Sequence, residues 1–287
     1  NQIMAVLPNL SANPEQVFSD TISVTLGQYH HRARPLSVAT FNEIKPDRAH
    51  EIFKDRYADA SDFTFVFVGN VTPETLRPLA EKYLATLPSL NRKEIFKDVM
   101  PGYPKGVVEK TVRKGTEPKA NTLMMFHGPF AYTPENRFAL RALVDYFQIK
   151  LNETLREQLG GTYSPNVQGG GSRIPKSQHT IQVMFGSSPE NVEKLSRTVL
   201  SMIDSLKAKA PTQADVDKVR EQLTRSREVD IKNNSYWLAN IGARDQNNED
   251  INGLMQAYDV MIQKLTADQI QAAARQYFDT RNYLRFV

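Results

Sequence analysis

Two segments of this sequence, about 220 residues apart, follow the same pattern of residue types. Residues 44–57 and residues 265–278 both look like a helix with an aspartate near its start and an aromatic residue at its end. Each is followed by another aspartate and then by a β-rich run, at 63–68 or at 283–287. This repeat predicts two related domains, and chance similarity between two amphipathic helices is the alternative.

The repeat sets the predicted domain boundaries. Residues 1–95 would contain only the C-terminal portion of one domain, residues 96–105 a proline-containing linker, and residues 106–287 nearly all of a second domain. A domain that lacks its front half cannot close its own sheet. We therefore expect the missing strands to come from upstream sequence or from a second chain, as in the C-terminal part of a longer enzyme.

Local signals predict an α+β fold, with an antiparallel-rich sheet and helices packed on one face. The triplets Thr-Pro-Glu at 72–74 and 133–135 predict helix starts, because the hydroxyl accepts from a free amide and proline needs no amide partner. The second triplet opens a long predicted helix over 134–159, and the run Gly169–Gly171 is expected to form a flexible hairpin turn. Predicted strands lie at 63–68, 107–112, 122–126, 163–167, 180–185 and 283–287.

Composition and charge exclude several classes of protein. The sequence has no cysteine, which excludes disulfides and thiolate metal sites. The net charge of +4 does not indicate a nucleic-acid partner, because basic and acidic residues alternate along helices, as at 217–221. No apolar stretch is long enough to predict a transmembrane segment. A serine-nucleophile elbow, Gly-x-Ser-x-Gly, is also absent.

The histidines do not form a metal-binding motif. His50-Glu51 begins like a zinc-protease helix, but the second histidine one helical turn later is missing, and the inverted motif His-x-x-Glu-His is absent. The sequence therefore predicts no metal ligands in this chain.

The segment 155–164, Leu-Arg-Glu-Gln-Leu-Gly-Gly-Thr-Tyr-Ser, carries the strongest candidate site. Arg156 falls on the last turn of the long predicted helix, and Tyr163 follows two glycines at the start of a strand. Together they could offer a cationic fork and a phenolic donor that grip a peptide carbonyl or stabilise an oxyanion. The alternative is structural: an arginine favours a helix C-terminus, and a tyrosine commonly opens a strand.

Residues 155–164 resemble the signature in the C-terminal half of M16 metallopeptidases, the pitrilysin, insulysin and processing-peptidase family. Residues 57–70 resemble the end of an M16 domain, and Lys232–Trp237 is similar to a helix entry in bacterial members. The resemblance covers nearly the whole chain. It implies M16 (LuxS/MPP-like metallohydrolase) domains, four of which form a clamshell in the family.

The resemblance implies the non-zinc, C-terminal half of a zinc metalloendopeptidase, which closes over a peptide substrate. Zinc would be bound by an N-terminal M16 half, on the same polypeptide or on a partner subunit, and this chain would hold no cofactor and be inactive alone. Arg156 and Tyr163 would be auxiliary catalytic and substrate-binding residues.

The same resemblance implies a cellular location and leaves one alternative function open. Bacterial relatives are often periplasmic, so the predicted localisation is the bacterial periplasm. The alternative is a catalytically inactive structural or partner subunit, as in M16 relatives that form the core of respiratory complexes.

Overall fold

The computed structural model of the protein describes residues 2–158, 165–251 and 256–287. These residues divide into two compact units. The first contains the described parts of Asn1–Val38, Asp98–Thr224 and Gln256–Val287, and the second contains those of Ala39–Lys97 and Arg225–Met255.

The helices in the described residues are α1 (Gln2–Leu10), α2 (Pro14–Leu26), α3 (Val38–Asn42), α4 (Pro46–Arg56), α5 (Pro73–Tyr83), α6 (Pro134–Leu151), α7 (Val192–Ala208), α8 (Gln213–Asp230), α9 (Asn234–Asn247), α10 (Gln256–Gln263) and α11 (Ala267–Tyr277). The strands are β1 (Val107–Lys110), β2 (Ala120–Pro129), β3 (Asn166–Ser172), β4 (Gln178–Ser187) and β5 (Tyr283–Phe286). Short 3₁₀ segments occur at His31–Ala33 and Pro189–Asn191, and a π-helical segment occurs at Asn152–Gln158.

The five strands form one sheet in the order β1-β5-β2-β4-β3. Strand β1 runs parallel to β5, and every other neighbouring pair is antiparallel. The predicted α+β class with an antiparallel-rich sheet is therefore confirmed, and among the described strands β1 and β3 are the two outermost.

The main core lies between one face of this sheet and a helix layer. Phe126 of β2, Phe147 of α6 and Phe278 after α11 are fully buried there, with the Phe278 ring centroid 5.0 Å from each of the other two. Helix α2 packs against part of the opposite face. Its side chains at a spacing of four, Phe18, Ile22 and Leu26, contact Leu123, Leu284 and Phe286. Helices α6, α7 and α11 thus pack on one face of the sheet, as predicted, and α2 packs on part of the other face.

The predicted helix starts at Thr72 and Thr133 are confirmed. The Thr133 hydroxyl accepts a hydrogen bond from the Asn136 amide at 3.2 Å, and the Thr72 hydroxyl accepts one from the Thr75 amide at 3.3 Å. Each cap satisfies a backbone donor that the helix itself leaves free. Among the described residues, every helix is too short or too polar to cross a lipid bilayer.

The predicted strand at 63–68 is wrong for the part of the chain that the structure describes. These residues pair with no described strand, and the side chains of Phe63, Phe65 and Phe67 are 36%, 45% and 49% exposed. A β-rich run can extend on its own, but it becomes a strand only when another backbone supplies hydrogen bonds. The predicted turn at Gly169–Gly171 is also wrong, because these glycines belong to β3 and pair with β4.

The two repeated segments share a local structure. Helices α4 and α11 are each followed by an aspartate whose carboxylate accepts from the amide two residues later: Ser61 donates to Asp59, and Arg281 donates to Asp279, both at 3.0 Å. The compact units do not follow chain order, since residues before α3 pack with the sheet. The boundaries at 95 and 106 remain a prediction.

Asp59 ties residues 90–92 to the end of α4. Its carboxylate accepts from the Leu90 amide at 2.8 Å and from the Arg92 amide at 2.6 Å, in addition to Ser61. These hydrogen bonds, the one from Leu90 first, hold the pKa of Asp59 far below its usual value although burial opposes them. Since the unfolded-state pKa is about 3.9, the carboxylate stabilises the fold above that pH and loses this effect as the pH falls towards its folded-state pKa.

We expect Asp59→Asn to release residues 90–92 at neutral pH, because an amide cannot replace a carboxylate that accepts three hydrogen bonds. Hydrogen exchange at the Leu90 and Arg92 amides should become faster by roughly tenfold. The exposed Asp62→Asn is the matched control and should leave exchange unchanged. Equal exchange in the two variants would show that Asp59 does not hold this segment.

Candidate functional site

The candidate site lies where the long helix of the sheet unit gives way to strand β3. Helix α6 continues into the π-helical segment Asn152–Gln158, and Leu143, Leu151 and Leu155 along this path are fully buried. The predicted helix over 134–159 is thus helical to its last described residue, Gln158, but its end has π geometry. Such turns are rare and occur frequently at functional sites.

The structure places the backbone of Arg156 within the π-helical segment. The Arg156 side chain and the whole of Tyr163 lie outside the described residues. The predicted pairing of these two side chains therefore stays a prediction, and the structure describes instead the framework on either side of them.

The Gln148 side chain joins the two ends of this framework. Its amide nitrogen donates to the Pro165 carbonyl at 3.0 Å and to Asn152 Oδ1 at 3.1 Å. Its amide oxygen accepts from the Val167 backbone N–H at 2.7 Å. One side chain on α6 thus joins Asn152, at the start of the π-helical segment, to Pro165 and Val167, where the chain enters β3. Sequence reasoning missed Gln148, because its partners Pro165 and Val167 lie 17 and 19 residues away in the sequence.

An ion-pair network anchors the π-helical segment to α8. Lys150 Nζ lies 2.7 Å from Glu153 Oε2 and 3.1 Å from Asp215 Oδ1, and Lys218 Nζ lies 2.9 Å from Glu153 Oε1. The three-residue spacing of Lys150 and Glu153 is readable from the sequence as a helix pair. The contributions of Asp215 and Lys218 are not, since they come from a distant helix.

The hydrogen bonds of this network shift the pKa values of Glu153, Lys150 and Asp215 towards their charged forms. Hydrogen bonds from Lys150 and then Lys218 lower the pKa of Glu153. Burial acts against the charged forms of Lys150 and Asp215, yet hydrogen bonds to their partners outweigh it, so the pKa of Lys150 is raised and that of Asp215 is lowered. Lys150, Glu153 and Asp215 are therefore held in their charged forms at neutral pH, next to the helical turn that carries the Arg156 backbone.

His127 and His179 are buried, and their ring nitrogens contact backbone carbonyl oxygens. His127 Nε2 lies 3.0 Å from the Pro104 carbonyl, and the His179 ring nitrogens lie 3.2 Å and 3.0 Å from the carbonyls of Pro129 and Tyr277. Burial lowers the pKa of both histidines. Within the described residues, no three histidine, aspartate or glutamate side chains are grouped as a metal site would need.

A protein-family comparison adds an independent observation. Residues 43–223 match the family described as "Peptidase M16 inactive domain". The chain belongs to the M16 peptidase family. The matched region includes the framework around Gln148 and the whole 155–164 segment.

Two curated relatives of this M16 chain are named as zinc proteases. It is 27% identical over 246 residues to "Zinc protease PQQL-like" of Arabidopsis thaliana, covering 80% of this chain and 25% of that protein. It is 26% identical over 232 residues to "Probable zinc protease PqqL" of Haemophilus influenzae, covering 75% of this chain and 23% of that protein. The chain thus spans about a quarter of the length of these relatives.

Solved structures confirm the M16 fold. The periplasmic protease PqqL from Escherichia coli superposes with a TM-score of 0.81 at 19% identity, over 99% of this chain and 31% of that one. The first half of the same protease superposes with a TM-score of 0.73 at 12% identity, over 99% of this chain and 65% of that one. One fold therefore matches both the whole protease and its first half.

Proposed function

We propose that this chain is the C-terminal, non-zinc part of an M16 zinc metalloendopeptidase and that it closes over a peptide substrate. The observation that carries the proposal is the match to the M16 domain described as inactive, over a region that contains both Arg156 and Tyr163. The names of the two curated relatives, both zinc proteases, support the reaction class.

In this proposal Arg156 and Tyr163 bind the carbonyl oxygen of the bond that is cleaved. A guanidinium and a phenol both donate hydrogen bonds, and they stabilise the negative charge that develops on that oxygen in the transition state. Such donors are effective only when they are held in place beforehand. The Gln148 bridge and the ion pairs of Glu153 supply that support on both sides of the segment.

The zinc implied by the relatives does not fit the side chains that the structure describes, since no three histidine, aspartate or glutamate groups among them lie together. The histidines at the sheet, His127 and His179, are buried, and each has a ring nitrogen about 3.0 Å from a backbone carbonyl oxygen. We therefore assign the metal to a separate N-terminal M16 half, on the same polypeptide or on a partner subunit, and we expect this chain to be inactive by itself.

The exposed segment 63–68 supports a partner half. Its aromatic side chains continue a ladder from α4, with ring centroids 5.9 Å apart for Tyr57 and Phe63 and 6.3 Å apart for Phe63 and Phe65. A contiguous apolar surface of this kind usually marks an interface, and an extended run without a partner can add to another sheet. We propose that M16 sequence outside this chain supplies the strands that pair with it.

We also propose a periplasmic location in a bacterium. The Escherichia coli protease with the same fold is described as periplasmic. A chain with no cysteine is compatible with an oxidising compartment.

Reconstitution tests the proposed function. This chain, purified alone, is expected to carry no stoichiometric zinc and to leave an unfolded fluorogenic peptide uncut. Combination with an M16 half that contains His-x-x-Glu-His should restore zinc-dependent cleavage. In the same assay Phe65→Lys should weaken assembly, because a charge interrupts strand addition. The matched control Leu79→Lys changes an exposed position on α5 and should assemble normally.

Two outcomes would contradict the proposal. Zinc-dependent cleavage by this chain alone would place the metal here. An assembled protein that binds zinc and still cleaves no peptide would favour the structural-subunit alternative.

A further inference from the structure

A cavity of about 660 Å³ lies between the second half of α6, helix α7 and the segment that leads into α8. Its described lining belongs entirely to the compact unit that contains the sheet. Pockets that hold small molecules measure roughly 300–1,000 Å³. This cavity therefore has the volume of a ligand site.

Part of the lining is apolar. Phe147 and Leu206 are buried, and Met202 and Pro211 also belong to this part of the lining. Met202 and Leu206 are four residues apart on α7, so their side chains lie on the same face of that helix. These side chains offer a contact surface for the apolar body of a ligand.

The charges of the described lining favour an anion. They are three cations and one carboxylate, namely Lys150, Arg197, Lys209 and Asp215. Lys150 is already paired, since its Nζ lies 3.1 Å from Asp215 Oδ1 and 2.7 Å from Glu153 Oε2. Neither Arg197 nor Lys209 forms an ion pair with the described part of the chain. The lining thus has a surplus of positive charge, which attracts an anionic ligand.

Arg197 is the best placed of these cations to hold that anion. Its guanidinium can donate two parallel hydrogen bonds to one carboxylate. Ser201 lies one helical turn further along α7 and also lines the cavity, so its hydroxyl can add another donor. Lys209 is followed by the segment that carries Asp215, whose negative charge would repel a carboxylate there.

The Tyr146 hydroxyl is a further donor at this cavity. The residue lines the cavity and is only 8% exposed, and within the described residues its hydroxyl has no hydrogen-bond partner. Burial, followed by the charge of Asp215, raises the pKa of Tyr146, so the phenol is protonated at neutral pH and can donate. Since buried polar groups normally have partners, this hydroxyl points to a ligand that carries hydrogen-bond acceptors.

We propose that this cavity binds a small amphipathic carboxylate, such as a medium-chain fatty acid. Its apolar body contacts Phe147, Met202 and Leu206, and Arg197 holds its carboxylate. A neutral apolar molecule would leave Arg197 without a partner, and a short carboxylate would leave the apolar lining in contact with water. Both parts of the ligand are therefore needed.

Binding at this cavity also reaches the candidate site. Thr154 of the π-helical segment belongs to the lining, and so does Lys150, which pairs with Glu153 of that segment. A bound molecule therefore restrains the segment in which the motif at 155–164 begins. The binding itself is independent of the proposed function, whereas any effect on peptide cleavage rests on it.

Isothermal titration calorimetry of the chain with octanoate tests the site. Octanol is the matched probe without the charge, and acetate is the matched probe without the apolar body. Saturable binding of one octanoate is expected, about tenfold or more tighter than the binding of either other probe. Arg197→Gln should weaken octanoate binding about tenfold, because a neutral amide cannot replace the charged fork. The control is Lys194→Gln, an exposed position of α7 outside the described lining, which should bind normally.

A second variant and a methyl NMR spectrum locate the bound molecule. Ser201→Trp, at an exposed position of the lining, should abolish binding because the indole occupies the cavity. Octanoate should shift the methyl signal of Met202, which Met202→Leu assigns. The Met184 signal should stay in place, because this side chain packs with α2 on the other face of the sheet.

Several results would overturn this site. Equal affinity for octanol would show a cavity that selects only for apolar surface. Equal weakening by Arg197→Gln and Lys194→Gln would show a general attraction to a basic chain. Octanoate binding as expected, together with unchanged cleavage by Tyr163→Phe, would remove the proposed catalytic role and keep the cavity site. The opposite pair of results would remove the cavity site alone.

Discussion

Substitution of Gly171 by alanine is expected to lower the free energy of unfolding by about 1–3 kcal/mol, because the added methyl group has no space. Its Cβ atom would lie 2.1 Å from Cε1 and 2.4 Å from Cδ1 of Phe130. The Phe130 ring is buried and packs against Tyr132, His179 and Tyr277. Since this ring cannot retreat freely, strand β3 itself must shift or the ring must leave its preferred position.

Gly170→Ala is the matched control, one residue away in the same strand. No atom lies within 4 Å of its Cβ position, so the free energy of unfolding should change by less than about 0.5 kcal/mol. Denaturation followed by far-UV circular dichroism measures both variants. Because a chain of two compact units need not unfold in one step, exchange at the buried Ile181 and Val183 amides assigns the transition to the sheet. Equal destabilisation by the two variants would contradict this packing.

The contrast between these glycines also shows why the sequence misled about this segment. Three consecutive glycines usually indicate a flexible turn. Here Gly169 and Gly171 are glycine because α6 and Phe130 occupy the space of a side chain, and this contact joins elements that are distant in sequence. The turn prediction failed because a run of glycines shows only that the backbone is locally free. It does not show which distant side chains pack against that backbone.

The predicted helix caps and the predicted buried face of α6 depended on neighbouring residues and are confirmed. The caps at Thr72 and Thr133 and the spacing of buried residues along α6 are properties of neighbouring residues, and the structure confirms them. The segment 63–68 has the composition of a strand, but pairing requires a second backbone that no local pattern specifies. The framework of the candidate site was hidden for the same reason, since Gln148 and Asp215 act on residues outside their own helical turns.

The role of the motif at 155–164 was predicted from its resemblance to the M16 family and not from the physical properties of its residues. Arg156 at the end of a helix and Tyr163 before a strand have ordinary structural explanations, so the residues alone left their role open. The structure adds a π-helical segment at Arg156 and the hydrogen bonds of Gln148 to Asn152 and Pro165, which neither the composition nor the spacing of the motif predicted.

Tyr163→Phe in the assembled peptidase is expected to lower kcat by about 10²–10³-fold, the effect of removing one donor to a developing oxyanion. KM should change little, because the contact strengthens only in the transition state. Arg156→Lys should also lower kcat, since lysine keeps the charge but loses the planar fork. Tyr83→Phe, at an exposed position on α5, is the matched control and should retain full activity.

The most direct test is the steady-state kinetics of Tyr163→Phe, with zinc content and assembly verified in the same sample. It asks whether a residue of this chain takes part in a reaction whose zinc is bound by another half. The account predicts a large fall in kcat, with KM, zinc content and assembly unchanged. A kcat equal to that of the unmodified protein would contradict it and leave the chain with the M16 fold but without the proposed catalytic role.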